Sequence, residues 1–412
     1  LQGHGVAIPD LRSATVEDAL EHKDEFEPDV ARVLELRQLL SKASIKKYST
    51  VVTTMCEDGR IRGLLQFYGA NRTGRWAGRL VQVQNLPRTY LHGAMLDTAR
   101  DLTRRKLPEG LELLYGSVPG TLSQLVRTAL VPRPGCKFVD ADFSAIEARV
   151  VAWLAGEEWV LQVFRTHGKI YEATASQMFG VPLDRIVKGN PEYALRQKGK
   201  VATLALGYQG GSSALIAMGA LKNGLTEEEL PDIVSRWRQA NRAIVRCWKA
   251  VEQAAIQAVE TGRSCATHGL VFAREADIDS GLDFLTIRLP SGRKLYYAQP
   301  HFGVNQWGGK QLRYYGMNQM TKKWSVIETY GGHMTENIVQ AIARDCLAVN
   351  IERLENAGFP IVFHIHDEVV IEVPEDRADL DEVTRIMGQP IEWAPGLPLA
   401  ADGWVGDYFT KD

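Results

Sequence analysis

Apolar positions along the chain switch between helical and strand spacing, and the changes divide it into regions. Residues 1–58 are linker-like, apart from a stretch in which apolar residues recur close to every 3.6 positions. Its members are Val30, Val33, Leu34, Leu36, Leu39, Leu40 and Ile45. This spacing predicts an amphipathic helix between residues 28 and 47.

Further along, the pattern predicts both strands and long helices. Residues 137–143 predict a short strand, and residues 145–154 a helix that leaves it. The spacing is then mostly helical from about 159 to 260. A hairpin is predicted over 285–297, around a Pro-Ser-Gly turn, and a long helix over 332–357. Residues 361–373 are apolar on both sides of a His-Asp-Glu triplet, which predicts two strands that meet at a turn.

Composition excludes several classes of protein. With 412 residues, 45% apolar and 24% charged, the chain has the composition of a globular protein of two to three domains, not of a disordered or fibrous one. Lys and Arg total 48 against 50 Asp and Glu, a net charge of −2, so a uniformly basic surface is excluded but a basic cleft is not. The strongest local asymmetry is in residues 60–106, with ten basic residues against two acidic ones.

The cysteines and the apolar runs indicate the cellular environment of the chain. The five cysteines are scattered without a C-x-x-C pair, which argues against a disulfide framework or zinc module and for a reducing compartment. No apolar run approaches the roughly 20 residues of a membrane span, and we expect no signal peptide. Because the chain begins at Leu1 rather than Met, we expect a fragment or processed product with a further domain upstream.

Three short segments carry candidate chemistry, and the first is D-A-D-F-S-A-I-E-A-R, residues 140–149. A carboxylate at the end of a buried strand needs a cation or hydrogen bonds to compensate it. The alternative is a helix cap, in which Asp142 or Ser144 caps the helix and Glu147 completes a capping box.

The second segment is His366-Asp367-Glu368, within the apolar strand pair. It fits a polar turn or a metal site equally well. His364 and His366 have the H-x-H spacing of a zinc pair, but the two adjacent acids favour a hard cation.

The third segment places Arg196, Lys200, Leu204 and Tyr208 at intervals of four, which aligns them along one helix face. The simple interpretation is a solvated basic turn followed by two core residues. The functional one is a face that grips a polyphosphate with its two cations and positions a base and sugar further along. Together, distant strand-end carboxylates and an intervening cationic helix fit two-metal phosphoryl transfer.

In this order the segments resemble the motifs of the family A DNA polymerases, the group of bacterial DNA polymerase I and many phage replicative enzymes. D-F-S-A-I-E-A-R (142–149) resembles motif A, R-x-x-x-K-x-x-x-L-x-x-x-Y (196–208) resembles motif B, and H-D-E (366–368) resembles motif C. T-G-R-W-A-G-R-L-V-Q-V-Q-N-L-P-R (73–88) is similar to a further family segment, and Gln340 matches the family's minor-groove glutamine. The similarity spans residue 40 to the C-terminus and is strongest to phage and prophage members.

The resemblance implies an α+β, right-hand polymerase fold with an antiparallel palm sheet, mostly helical fingers and a partial helical thumb. The implied domains are a partial thumb at 1–58, palm at 59–157, fingers at 158–319 and the second part of the palm at 320–412. It also implies a DNA-directed DNA polymerase that acts on primer-template DNA and dNTPs, as a monomer without membrane association. A phage enzyme would act in the host cytoplasm during DNA replication.

The resemblance also implies the catalytic roles. Asp142 and Asp367, with the backbone carbonyl of Phe143, would hold two Mg²⁺ ions, for which Mn²⁺ is a substitute. Glu368 would be a neighbouring, less essential carboxylate. Lys200 would bind triphosphate together with Arg196 and is a candidate general acid to the leaving group.

Further residues are implied to contact the nucleotide and the DNA. Glu147 would crowd the 2′ position and exclude ribose, where single-subunit RNA polymerases usually carry a small residue. The remaining nucleotide-binding residues would be Leu204, Tyr208 and Tyr171. The residues implied for primer-template binding are Arg75, Gln84, Asn85, Arg149, Gln340 and His366.

Three positions depart from the family pattern. Leu204 stands where Phe or Tyr is common, so a ring stacked on the sugar is lost. Ala145 replaces a frequent Gln, and Tyr171 a frequent triphosphate-contacting His, so phosphate binding would depend more on the two cations of motif B. A metal-dependent nuclease and a non-catalytic DNA-binding scaffold of the same fold are the alternatives.

Overall fold

The computed structural model describes residue 8 and residues 10–40, 46–279, 281–305 and 308–410, without the side chains of residues 13, 14, 39 and 40. Within these ranges the helices are α1 Ser13–Glu21, α2 Pro28–Leu40, α3 Lys46–Thr54, α4 Gly93–Arg104, α5 Pro108–Tyr115, α6 Val118–Leu125, α7 Ile146–Ala155, α8 Glu158–Thr166, α9 Ile170–Phe179, α10 Leu195–Leu206, α11 Ser212–Ala217, α12 Leu230–Ala240, α13 Arg242–Thr261, α14 Gly331–Asn356 and α15 Leu380–Met387. The strands are β1 Leu65–Ala70, β2 Arg75–Gly78, β3 Cys136–Phe143, β4 Cys265–Thr267, β5 Leu270–Ala276, β6 Asp283–Arg288, β7 Lys294–Val304, β8 Lys310–Met317, β9 Trp324–Thr329, β10 Ile361–Ile365, β11 Glu368–Pro374 and β12 Ala401–Gly406. The predicted α+β class is confirmed.

A four-stranded antiparallel sheet in the order β10-β11-β3-β12 forms the centre of the molecule. Because side chains alternate along a strand, β3 and β11 divide their residues between two cores. Val139, Ala141 and Ile371 belong to the large core, to which α7, α13, α14 and α15 contribute. Phe138 and Val370 belong to a smaller core on the other face. The sheet is therefore covered on both faces.

Helix α14 is the longest helix in the described part of the chain, 26 residues or about 39 Å, and most of its side chains are buried. It packs against α13 and α7. Its first residues approach other backbones closely, because a Cβ at Gly332 would lie 2.4 Å from the carbonyl oxygen of Tyr208. The predicted helix over 332–357 is thus confirmed, and its start is held against the end of motif B.

A second sheet of six strands runs β4 to β9 in sequence order, each strand antiparallel to the next. Its inner residues, such as Phe272, Leu285 and Leu312, join the large core. The predicted hairpin over 285–297 is its β6–β7 pair, and the rest of the sheet was not predicted. The predicted domain boundary at 319/320 lies in the turn between β8 and β9, so it divides this sheet. Helices fill residues 158–261 of the predicted fingers, and strands fill most of the remainder of that predicted domain.

The N-terminal helices form a small separate core. Val16, Val30 and Leu34 are buried together, whereas Val33 and Leu36 are exposed. Only part of the apolar pattern predicted for residues 28–47 is therefore buried. The side chains of Leu39 and Leu40, and all of Ile45, lie outside the described residues. Among the helices that the structure describes, none combines the length and the apolar character needed to cross a bilayer.

Helices α9 and α10 cross in direct backbone contact at Gly199. A Cβ there would lie 2.1 Å from the Tyr171 carbonyl oxygen and 3.0 Å from the Ala175 Cβ. Only glycine permits this approach, which sets the position of Tyr171 against motif B.

We expect Gly199→Ala to destabilise the protein by about 1–3 kcal/mol, because the added methyl group overpacks the contact. The matched control is Gly207→Ala at the end of the same helix, where the new Cβ meets only the Thr203 carbonyl oxygen at 3.8 Å. Urea denaturation followed by circular dichroism measures both. Equal midpoints for the two variants would contradict the close contact at Gly199.

Candidate active site

The predicted carboxylates meet where β3 ends beside the β10–β11 turn. The Phe143 amide donates to the Asp367 carbonyl oxygen at 3.2 Å, and the Ser144 amide donates to the Ala400 carbonyl oxygen at 2.9 Å. In the strand register Glu368 lies directly opposite Asp142. Residues 142 and 367, which are far apart in sequence, are therefore joined by the backbone itself.

Strand β12 adds a carboxylate that sequence reasoning missed. Asp402 is opposite Asp142 on the other side of β3, so Asp402, Asp142 and Glu368 form one row across three strands. Directly opposed residues in antiparallel strands have Cβ atoms roughly 4.5–5.5 Å apart. No local pattern in residues 401–406 marked this strand, because its pairing is set only in the folded chain.

The donor set fits magnesium better than zinc. In the described part of the chain, no three His, Cys, Asp or Glu side chains are grouped closely enough to hold a metal ion alone. Mg²⁺ is usually bound by one or two carboxylates, with water and substrate phosphates completing the shell. Asp142, Asp367 and the Phe143 carbonyl provide oxygen ligands of that kind. The ring of His364 instead packs edge-on against Trp76, at 4.7 Å, and burial lowers its pKa to about 4.

The helix-cap interpretation of residues 142–147 is wrong. Helix α7 begins at Ile146, and its N-cap is Ala145, which adopts a left-handed conformation with φ 53°. An alanine methyl group cannot accept a hydrogen bond, so neither carboxylate nor hydroxyl fills the capping role. The left-handed residue turns the chain sharply between the strand and the helix that carries Glu147.

A cavity of about 340 Å³ opens next to these carboxylates, between α7, α9 and α10. Five predicted site residues line it: Glu147, Tyr171, Leu204, Tyr208 and Asp367. Leu204 is 47% exposed within it. Three of the four motif B residues belong to helix α10, and Tyr208 comes shortly after the helix ends. The cavity thus joins motif A, motif B and motif C in one space.

Glu147 is held from two sides at the entrance to this cavity. Arg75 Nη2 donates to Glu147 Oε1 at 2.7 Å, and Tyr208 Oη donates to Oε2 at 3.0 Å. Burial, and then the charge of Glu147, raise the pKa of Tyr208 well above its ordinary value. Tyr208 therefore stays protonated and remains a donor. The contact connects β2, α7 and the end of motif B.

The two cations of motif B flank the ring of Tyr171. The Arg196 guanidinium is 5.4 Å from the ring centroid and the Lys200 ammonium 5.9 Å. Arg196 Nε also donates to Glu172 at 2.8 Å. Tyr171 lines the cavity, whereas Arg196 and Lys200 are not among its lining residues. The Glu172 contact orients Arg196.

A second cavity of about 170 Å³ brings together Arg75, Gln84 and His366. His366 has φ 55° at the turn between β10 and β11. Asn85, which follows Gln84 in sequence, is exposed, and its side-chain amide donates to the side chain of Gln82 at 2.9 Å. Gln340 is half-buried on α14 and donates to Glu336 at 3.3 Å. Three of the predicted primer-template residues therefore share one cavity.

Arg149, predicted to support the primer end, is enclosed by other parts of the protein. It is buried, donates from Nε to the Ser144 carbonyl and from Nη1 to the Pro398 carbonyl, and lies 4.2 Å from the ring centroid of Phe164. Burial lowers its pKa to about 10. These contacts do not support a direct primer contact, because the side chain is enclosed by protein. Arg149 instead positions the turn after Asp142.

Sequence reasoning also missed a polar stripe on α14. His333 and Glu336 precede Gln340 by seven and four positions, so all three lie on one face. Arg72 bonds His333 at 3.3 Å, with the donor set by the histidine tautomer. Burial, and then Glu147, raise the pKa of Glu336. The helical spacing from Gln340 was the signal that would have found these residues.

Comparisons with known proteins agree with this geometry. The sequence model of DNA polymerase family A matches residues 9–270. The DNA polymerase of Bacillus phage SP02 is 54% identical over 413 residues, which cover 100% of this chain and 62% of that protein. The thermostable DNA polymerase I of Thermus aquaticus is 26% identical over 69% of this chain and 28% of its own length. The chain therefore spans less than two thirds of either relative.

Among solved structures, the fold is similar to the POL domain of Pol1 from M. smegmatis, which was determined in complex with DNA primer-template and dNTP. The TM-score is 0.59 at 18% identity, over 96% of this chain and 56% of that one. The similarity supports the predicted right-hand polymerase fold. From the extent of the sequence match, this chain belongs to DNA polymerase family A.

Proposed function

We propose that the chain carries out template-directed addition of deoxynucleotides to a primer 3′-OH, in phage or prophage DNA replication. One observation carries the proposal: the cavity that holds Glu147, Leu204 and Tyr208 opens directly onto Asp367. A nucleoside triphosphate bound there would have its phosphates beside the carboxylates. The phage SP02 relative, a DNA polymerase, supports replication as the setting.

The proposed mechanism assigns the chain's residues to binding and positioning. Asp142, Asp367 and the Phe143 carbonyl would hold Mg²⁺, which supplies Lewis-acid stabilisation of phosphoryl charge when bound. Arg196 and Lys200 would bind the triphosphate, and Lys200 would donate a proton to the leaving pyrophosphate. Phosphoryl transfer needs mainly positioning and electrostatic stabilisation, which the two cations on one face of α10 would provide.

Sugar selection is assigned to Glu147. Its two carboxylate oxygens are occupied by Arg75 and Tyr208, so the side chain is held in one place at the cavity entrance. A fixed side chain excludes a 2′-hydroxyl better than a mobile one. Arg75 and Gln340 would read the minor-groove acceptors that all correct base pairs present, and His366 and Gln84 would support the primer end.

The alternatives explain less of the site. A metal-dependent nuclease needs the carboxylates but not a cavity lined by motif B, nor a restrained Glu147 at its entrance. A scaffold without catalysis would keep the fold but would not need both acids, Asp142 and Asp367, at the strand ends. Primer extension separates the three, because only a polymerase lengthens the primer.

We expect Asp367→Ala and Asp142→Asn each to slow primer extension with Mg²⁺ and dNTPs more than about 100-fold, because charge stabilisation at the phosphates is lost. Primer-template binding, measured by fluorescence anisotropy, should be retained. The control is Asp376→Ala, an exposed carboxylate just beyond the other end of β11. Wild-type rates for either site variant, or loss of activity in the control, would contradict the assignment.

We expect Glu147→Ala to lower the preference for dNTP over rNTP by about tenfold or more, because the side chain that crowds the 2′ position is removed. The ratio of kcat/KM for the two nucleotide classes measures it. Tyr208→Phe removes one of the hydrogen bonds that hold Glu147 but keeps the ring, so it should lower the preference less. A larger effect of Tyr208→Phe would assign discrimination to the tyrosine instead.

Leu204→Phe should restore a ring at the cavity wall and speed dNTP incorporation by about two- to tenfold, matching the ~0.5–1.5 kcal/mol of an aromatic contact. Use of dideoxynucleotides should change as well. Single-nucleotide incorporation with dCTP and ddCTP measures both effects. Identical kinetics for the variant and wild type would refute a role of this position in sugar stacking.

A further inference from the structure

The solvent-facing side of the six-stranded sheet is unusually apolar. Antiparallel sheets that pack on one face usually carry polar residues on the other. Here the inner face is apolar, and the solvent-facing side, termed the outer face, also carries large apolar side chains: Phe284, Tyr296, Tyr315, Met317, Trp324 and Val326. Trp324 is 60% exposed and Tyr296 55%. Such a patch on a surface marks a binding site.

The strand register places these side chains side by side. Tyr315 is opposite Ala298 on one side and Val326 on the other, and Met317 is opposite Trp324. Tyr296 is two residues from Ala298, and its ring lies 5.9 Å from that of Phe284. Since neighbouring strands are roughly 4.8 Å apart, Tyr296 and Trp324 stand two strand spacings from one another. The rings therefore form a row of platforms rather than one packed cluster.

Positive charge surrounds the row. Strand alternation puts Arg288, Lys294 and Arg313 on the same side of the sheet as the rings, and Lys322 and Lys323 occupy the turn before Trp324. Two acids on this side are neutralised, since Glu275 pairs with Lys294 at 2.8 Å and Glu328 with Arg313 at 2.7 Å. On β5 to β9 and the β8–β9 turn, the other charged residues of this side are the exposed cations Arg288, Lys322 and Lys323. The exposed acids Asp277 and Asp279 lie in the β5–β6 loop.

The combination of aromatic rings and cations on the outer face indicates which kind of ligand it would bind. Lysine is depleted in protein–protein interfaces. Aromatic platforms on a sheet with basic residues around them suit unpaired nucleic acid, whose bases stack on the rings while its phosphates meet the cations. The charge complementarity therefore favours a single DNA strand over an apolar protein surface.

The outer face is linked to the candidate active site through its β6–β7 turn. Arg293 in that turn bonds Asp345 of α14 at 2.8 Å, and the Lys294 carbonyl accepts a hydrogen bond from Tyr68 at 3.3 Å. Tyr68 belongs to β1, whose partner strand carries Arg75. The β1–β2 hairpin thus connects the position of Arg75 with the β6–β7 turn at one end of the outer face.

We propose that the outer face binds an unpaired stretch of the template strand. Bases stack on Tyr296 and Trp324, and phosphates lie beside Lys322 and Lys323. This inference rests on the proposed function for the identity of the strand, and its test requires no catalysis.

The test compares primed templates that have either 2 or 15 unpaired template nucleotides, bound in the absence of Mg²⁺ and dNTPs and followed by fluorescence anisotropy. We expect wild-type protein to bind the longer overhang at least about fivefold more tightly than the short one. This factor corresponds to the lower end of the affinity gained from stacking one base on an aromatic side chain. Tyr296→Ala/Trp324→Ala should lose this gain. Its affinity for the short overhang and its extension rate on that substrate should match wild type, because both side chains are exposed and neither lines the cavity.

Two controls make the result specific. Leu113→Ala removes an exposed apolar side chain, 84% accessible, from α5, outside the outer face, and should leave the gain intact. Lys322→Ala/Lys323→Ala should reduce the slope of log affinity against log salt for the long overhang by about 1–1.5.

An overhang effect that is absent in wild type, or that survives in the double aromatic variant, overturns the inference. So does its loss in Leu113→Ala. Self-association of wild type in sedimentation that the double aromatic variant abolishes would make this face an interface between copies instead. If wild type extends no primer but the overhang gain depends on the rings, strand binding stands and the proposed function fails.

Discussion

The site depends on one backbone connection between two distant parts of the chain. The Phe143 amide donates to the Asp367 carbonyl, and the register of β3 with β11 continues this contact along seven residue pairs. Side-chain contacts could not hold two carboxylates together against their mutual repulsion, but a ladder of backbone hydrogen bonds buried on both faces can. The apolar residues of β3 and β11 thus provide the free energy that keeps the acidic strand ends in place.

A second connection joins the helices to this sheet at a single side chain. Glu147 accepts from Arg75 of β2 and from Tyr208 after α10, so three segments meet at one carboxylate. The backbone of Tyr208 is itself restrained, because the close approach of Gly332 places the start of α14 against the Tyr208 carbonyl. Movement of motif B toward or away from the carboxylates would therefore change the restraint on Glu147, and under the proposed function this would link closure on the nucleotide to sugar selection.

The periodicity of apolar residues predicted those elements whose structure depends mainly on neighbouring residues. Strand β3, the β10–β11 pair, α14 and the face of Arg196, Lys200 and Leu204 follow from periodicity, and the order of the motifs identified the family. Asp402, the enclosure of Arg149 and most of the six-stranded sheet were not predicted, because each depends on which distant segment pairs with which. The N-terminal pattern shows the converse: Val33 and Leu36 fit a helical period but stay exposed, since α2 has only a small core to pack against.

The two glutamates of β11 show how the same residue type is used structurally and at the site. Burial raises the pKa of Glu372, but hydrogen bonds from Arg60 and Arg133 outweigh it and hold the pKa below its ordinary value. Glu368, four residues earlier on the same face, lies beside Asp142 instead. Arg127 is near enough to interact with its charge, yet this arginine donates to the carbonyls of Leu86 and Pro87. One end of the strand is therefore neutralised by the protein's own cations. At the other end, β3, β11 and β12 bring the carboxylates of Asp142, Glu368 and Asp402 into one row, and carboxylate oxygens are the ligands that Mg²⁺ takes in proteins.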